Sequence, residues 1–127
     1  MRGEKNRVRQ LMRERREAQT PEERLGRSER ILRVGPNHAE ARAYLKQNEA
    51  TLIAMYESKL GSATATPRLA IKPEEVMWLN LDHRAGFLLA QIDGMVDYES
   101  LFALSGLPRL DTARILANLI ADGVITA

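Results

Sequence analysis

Cysteine is absent from the 127-residue sequence. Its absence removes disulfides, thiolate zinc sites and cysteine nucleophiles together. It also fits a reducing compartment, so a cytoplasmic location is expected. Long apolar runs are lacking as well. No segment approaches the ~20 apolar residues of a spanning helix, so no membrane association is expected. The basic N-terminus is not followed by the apolar stretch of a secretory signal. Histidine occurs twice, as His38 and His83, far apart in the chain. A metal site needs three or four converging ligands, and at most two can be named here. Gly3, Gly26 and Gly35 stand isolated and form no phosphate loop, and no serine has a base beside it to activate it. The paired acids Glu22-Glu23 and Glu74-Glu75 each fall in a first helical turn, where the helix dipole favours negative charge, so they read as structural. Together these absences predict a protein that is not an enzyme and has no cofactor.

Hydrophobic residues at 44% and charged residues at 28% are close to globular averages, which argues against wholesale disorder. The net charge of +2 conceals an asymmetry. Residues 1–60 carry 14 Lys and Arg against 9 Asp and Glu, whereas residues 61–127 carry 5 against 8. A balance of +5 followed by one of −3 suggests two units with different surfaces.

Along the chain, Val8, Leu11, Met12 and Ala18 keep spacings compatible with one face of a first helix. Thr20-Pro21-Glu22-Glu23 then reads as a fresh start: Thr20 can cap, Pro21 suits the first helical position, and Glu23 can complete a capping box. That helix carries Leu25, Ile31, Leu32 and Val34 and stops at Gly35-Pro36. A long helix is predicted from Asn37 to Leu60, with Ala41, Leu45, Leu52, Ile53, Tyr56 and Leu60 on its apolar face and Gly61 after it. Residues 61–73 are small, polar and proline-bearing, and read as a linker with a short extended piece at 68–71. Pro73-Glu74-Glu75 opens a short helix through Trp78 and Leu79; Trp78 is expected as a buried anchor joining that helix to the C-terminal module, the alternative being an exposed binding hot spot. Asp82 can cap a helix through Ile92, Asp93-Gly94 is a turn, and Asp97 can cap a helix ended by Ser105-Gly106. Pro108 begins a last helix to about Asp122, closed by Gly123 and continued by the β-prone Val124-Ile125-Thr126. The methionines, from Met1 to Met95, are too scattered for a binding stripe.

Two resemblances emerge from this order. Pro36-Asn37-His38-Ala39-Glu40-Ala41, followed by Leu45, resembles the junction between tetratricopeptide repeats, over roughly residues 20–60. Lys46 stands where that family has a glycine and Arg42 where it has an aromatic, and no complete repeat is present. The resemblance implies a unit that leans on a neighbour to hide its apolar faces. Residues 74–127 resemble the small winged-helix-like modules of multidomain bacterial regulators, including delta-proteobacterial ones. The residues that carry this are Leu81 to Leu89, Ile92-Asp93-Gly94, Leu104-Ser105-Gly106-Leu107-Pro108, and Arg114-Ile115-Leu116 through Gly123-Val124-Ile125. The resemblance implies a fold that serves both DNA binding and protein docking, so function does not transfer with it.

The expected fold class is therefore all-α or nearly so. Residues 1–61 form a repeat-like helical unit, 62–73 a linker, and 74–127 a winged-helix-like helix-turn-helix module. On the last helix, Arg109, Asp111, Arg114 and Asn118 remain for a partner once the apolar positions face the core. With Asp122 they sum to no net charge, which gives little attraction for phosphate. Arg109, Arg114 and Asn118 could in principle touch base edges. Only four residues come after Gly123, too few for a full hairpin wing. Residues 1–16 hold seven Lys and Arg against two Glu, and Arg7, Arg9, Arg13 and Arg16 mark a candidate basic patch. A solvated, salt-bridged helix surface is the plainer account, with Glu23–Arg27 and Glu29–Arg33 at i,i+4. The leading expectation is a protein-interaction adaptor in bacterial regulation or assembly, binding another protein or a second copy. The alternative is a nucleic-acid-binding regulator that uses the basic arm and the helix-turn-helix.

Overall fold

The computed structural model describes the backbone of residues 2–127 and the side chains from Lys5 onward; Met1 lies outside the described residues. The fold is all-α apart from one two-stranded sheet: seven α-helices and one 3₁₀ helix among the described residues. Contacts divide the chain into two units, Met1–Leu52 and Ile53–Ala127.

The first unit contains α1 (Arg2–Arg16), α2 (Pro21–Val34), α3 (Ala39–Gln47) and the start of α4 (Glu49–Ser58). Thr20 caps α2 as its sequence signature predicts, its hydroxyl accepting from Glu23 N–H at 3.1 Å. The Glu23 carboxylate accepts from Gln19 N–H at 3.0 Å, so the reciprocal bond of the capping box is displaced by one residue. Leu25, Ile31 and Ala41 are fully buried together with Leu11 from α1. Val8, Met12, Leu32 and Val34 pack partly against Leu11, Ile31 and Ala41. The apolar stripe of α2 thus finds its cover within the unit, on α1.

The single long helix predicted from Asn37 to Leu60 is corrected in two places. His38, and not Asn37, is the cap: His38 N–H donates to the Gly35 carbonyl in a turn, and its Nδ1 accepts from Ala41 N–H at 3.2 Å. The helix is also interrupted at Asn48. There the backbone N–H and the side-chain Nδ2 both donate to the Tyr44 carbonyl, at 3.1 and 2.8 Å. Asparagine competes in this way with regular helix bonding, and φ −114° at Asn48 marks the break. Leu52, Tyr56 and Leu60 are buried as expected, whereas Leu45 and Ile53 are half-buried.

The second unit contains the end of α4, β1 (Arg68–Leu69), the 3₁₀ helix Pro73–Trp78, α5 (His83–Ala90), α6 (Tyr98–Ser105), α7 (Arg109–Ala121) and β2 (Ile125–Thr126). β1 and β2 pair antiparallel, Arg68 opposite Thr126 and Leu69 opposite Ile125. Ala70 N–H extends the ladder to the Val124 carbonyl at 2.8 Å. Asp82 and Asp97 cap α5 and α6 through Ala85 N–H and Ser100 N–H. Gly106 at φ +67° and Gly123 at φ +73° end α6 and α7 in the left-handed conformation that glycine adopts without steric cost. Ala85, Leu88, Leu89, Tyr98, Leu101, Leu116 and Leu119 supply much of its core.

Residues 62–73 do not form the linker that their composition suggests. The carbonyls of Ala65 and Ala63 accept from Tyr98 N–H and Glu99 N–H, both at 3.1 Å, and the Pro67 carbonyl accepts from Gly94 N–H. The first N–H groups of a helix have no partner inside it, and this strap satisfies two of those of α6. Pro67 is fully buried. Small residues with no helical period here mean backbone docking, not freedom.

Tyr98 is buried, and its hydroxyl has no hydrogen-bond partner among the described residues. Burial raises its pKa above the ordinary tyrosine value of 10.0. An acid whose pKa is raised on folding contributes stability that is present below the unfolded value and is lost as pH climbs above it. Tyr98→Phe removes an orphaned hydroxyl. Its expected effect is a gain of about 1 kcal/mol at neutral pH, with a smaller loss of stability above pH ~10. Urea titrations of both proteins at neutral and alkaline pH check this; a loss above 1 kcal/mol at neutral pH would mean the hydroxyl has a partner after all.

Candidate functional site

The four candidate partner-binding residues of α7 do not form one surface. At ~100° per residue, Asp111, Arg114 and Asn118 share one side of the helix, and Arg109 points well away from them. Arg109 is exposed, donates from Nε to the Glu57 carboxylate, and lies over the Phe102 ring with 4.3 Å to its centre. Arg114 meets Asp111 at 3.5 Å and sits 5.8 Å from the centre of the Tyr56 ring. Asp111 also faces Arg84 at 3.9 Å, and Arg84 in turn reaches its neighbour Asp82 at 3.8 Å. Asn118 is exposed. Both arginines of α7 thus already have an acid and an aromatic ring inside the unit.

The turn between α6 and α7 is held by side chains. Buried Thr112 donates to Ser105 Oγ at 2.9 Å, Ser105 Oγ donates to the Phe102 carbonyl, and Leu107 N–H donates to Ser105 Oγ at 3.2 Å. This closed set of bonds fixes the angle at which α7 leaves the turn.

Trp78 corrects the expectation of a buried anchor: it is 82% exposed, and its neighbour Met77 is 76% exposed. The cause is periodicity. In a 3₁₀ helix of three residues per turn, Val76 and Leu79 share one face and are both half-buried, which turns Met77 and Trp78 outward. Met95 is likewise exposed, in a turn where Met95 N–H and Val96 N–H both donate to Asp93 Oδ1. Phe87 on α5 and Leu104 on α6 are about half exposed. The three-residue spacing of Val76 and Leu79 directly after Pro73 is the sequence signal that points to this geometry.

In the first unit, Arg7, Arg9, Arg13 and Arg16 are all exposed on α1. Arg15, in the same basic run, is not: it is buried, donates from Nε to Ser28 Oγ at 2.8 Å, and stacks over Tyr44 with 4.7 Å to the ring centre. Its Nη1 lies 3.4 Å from the Glu40 carboxylate. Ser28 is also buried and donates to the Arg24 carbonyl at 2.7 Å. Arg15 therefore fastens α1 to α2 and α3 and is no part of a docking patch.

Among the described residues no cluster of three or more His, Asp or Glu could hold a metal ion. No helix among them is long and apolar enough to cross a membrane. No protein-family model matches the chain, and neither a curated protein nor a solved structure is significantly similar to it.

Proposed function

We propose that the chain is a non-enzymatic, cofactor-free adaptor that binds another protein or a second copy of itself in bacterial regulation or assembly, in the cytoplasm. The observation that carries this is the outward face of the 3₁₀ helix. Tryptophan is enriched among the few interface residues that dominate binding energy, and a soluble unit gains nothing by holding Trp78 and Met77 in water. The charges of α7 support the same reading from the other side. Arg109 and Arg114 are engaged with Glu57 and Asp111, which leaves that helix little positive charge for a phosphate backbone. The resemblance of residues 74–127 to winged-helix-like modules is compatible with docking and adds no partner.

Affinity capture from lysate with and without nuclease, in parallel with sedimentation over a wide concentration range, tests the proposal. A protein partner or self-association should persist after nuclease and weaken at least ~25-fold in Trp78→Ala, the factor expected when a hot-spot side chain worth ~2 kcal/mol is removed. A strictly monomeric chain that captures no protein, or one whose partner is indifferent to Trp78→Ala and Met77→Ala, overturns it.

A further inference from the structure

Lys5, Arg9, Arg13 and Arg16 are separated by four, four and three residues on α1 and are all exposed. At ~100° per residue they fall in a sector roughly 80° wide, along ~16 Å of helix. None of the four makes an ion pair with a described side chain. Glu14 lies about 100° from the nearest of them around the helix and is occupied by Arg30 at 3.6 Å. The unit around the stripe carries 13 Lys and Arg against 8 Asp and Glu, so its field reinforces the stripe.

The chemistry of the stripe selects among anionic partners. Insertion into a lipid surface needs apolar side chains beside the charges, but Val8, Leu11 and Met12 of α1 are turned into the core of the unit. Three of the four residues are arginines, whose planar fork matches phosphate oxygens in pairs, and their spacing traces a straight line of charge. We infer that this face of α1 docks on the phosphate backbone of a nucleic-acid duplex without reading its sequence. The inference is independent of the adaptor reading, which concerns the second unit.

The test is fluorescence anisotropy of the full chain with a labelled random-sequence DNA duplex across roughly 50 to 200 mM salt. Four phosphates neutralised predict a slope of log affinity against log salt of about −3.6, at ~0.9 for each. Changing Arg9, Arg13 and Arg16 together to Gln should reduce the slope to about −0.9 and weaken low-salt binding by at least ~10-fold. Glutamine is a good helix former at exposed positions, and unchanged circular dichroism confirms that the variant is folded. The triple Arg→Lys variant keeps the charge and should keep the slope. Arg114→Ala on α7 should leave both readouts unchanged, and Arg42→Gln with Lys46→Gln on α3 should move them less than the triple Gln variant does. Wild type that fails to bind at low salt, a triple Gln variant that retains the slope, or an equal loss from the α3 pair overturns the inference. So does tighter binding to polyglutamate or to vesicles of anionic lipid than to the duplex.

Discussion

Leu52→Ala should cost the chain about 2–5 kcal/mol of unfolding free energy, the range for deleting a fully buried leucine side chain. Leu52 has no exposed surface at all, because the α4 turn after Asn48 places it inward. Leu45→Ala, one helix earlier, is the internal comparison. Leu45 is only half-buried, so it loses less transfer free energy and leaves a dent open to water in place of a sealed cavity. Urea denaturation of the two variants gives both numbers. A Leu52→Ala cost below about 0.5 kcal/mol, the usual range for surface sites, would contradict the burial of this position.

Arg15→Ala is expected to destabilise the first unit by about 2–4 kcal/mol, through the bond to buried Ser28, the stack on Tyr44 and the packing of its aliphatic stem. Its carboxylate partner contributes little to that sum. Glu40 is 63% exposed, and a pair with one end in water is screened and weak, so Glu40→Gln should change stability by less than about 1 kcal/mol. Arg15→Lys keeps the charge but not the planar fork, and should recover only part of the loss. Thermal unfolding at low and high salt separates these contributions. A wild-type midpoint that falls steeply with added salt, matched by Glu40→Gln, would transfer the main role to the ion pair.

Features that depend on a few adjacent residues are legible in the sequence. Thr20, Asp82 and Asp97 each offer a side-chain oxygen to an N–H three residues ahead, and Gly106 and Gly123 end helices where only the left-handed conformation fits. The all-α class comes from these signals and from the apolar stripes between them. Features set by distant partners are not legible. Nothing local in Ala63-Thr64-Ala65 says that its carbonyls meet the start of α6, and nothing in the basic run of α1 marks Arg15 as the residue that turns inward. That choice becomes visible only when Ser28 and Tyr44 face it. Trp78 escapes a reading at 3.6 residues per turn because the chain makes 3.0 there. The candidate site residues of α7 do lie on a helix, but their pairing with Glu57, Arg84 and Tyr56 depends on elements remote in sequence.

The pairing of β1 with β2 constrains the order in which the second unit assembles. Its two residue pairs, Leu69 with Ile125 and Arg68 with Thr126, close loops of 56 and 58 residues by simple difference of position. Loop closure on that scale costs roughly 3–4 kcal/mol beyond the constant term, and two pairs of strand residues cannot offset it unaided. The ends must therefore be brought together first by α5, α6 and α7, whose contacts are closer along the chain. The first unit faces no such delay, since α1, α2 and α3 meet their sequence neighbours. Short contact separations fold fast and long ones slowly. The strap and its strand are the last parts of the second unit to lock, and, by the same reasoning, the first from which its hydrogen bonds can be opened.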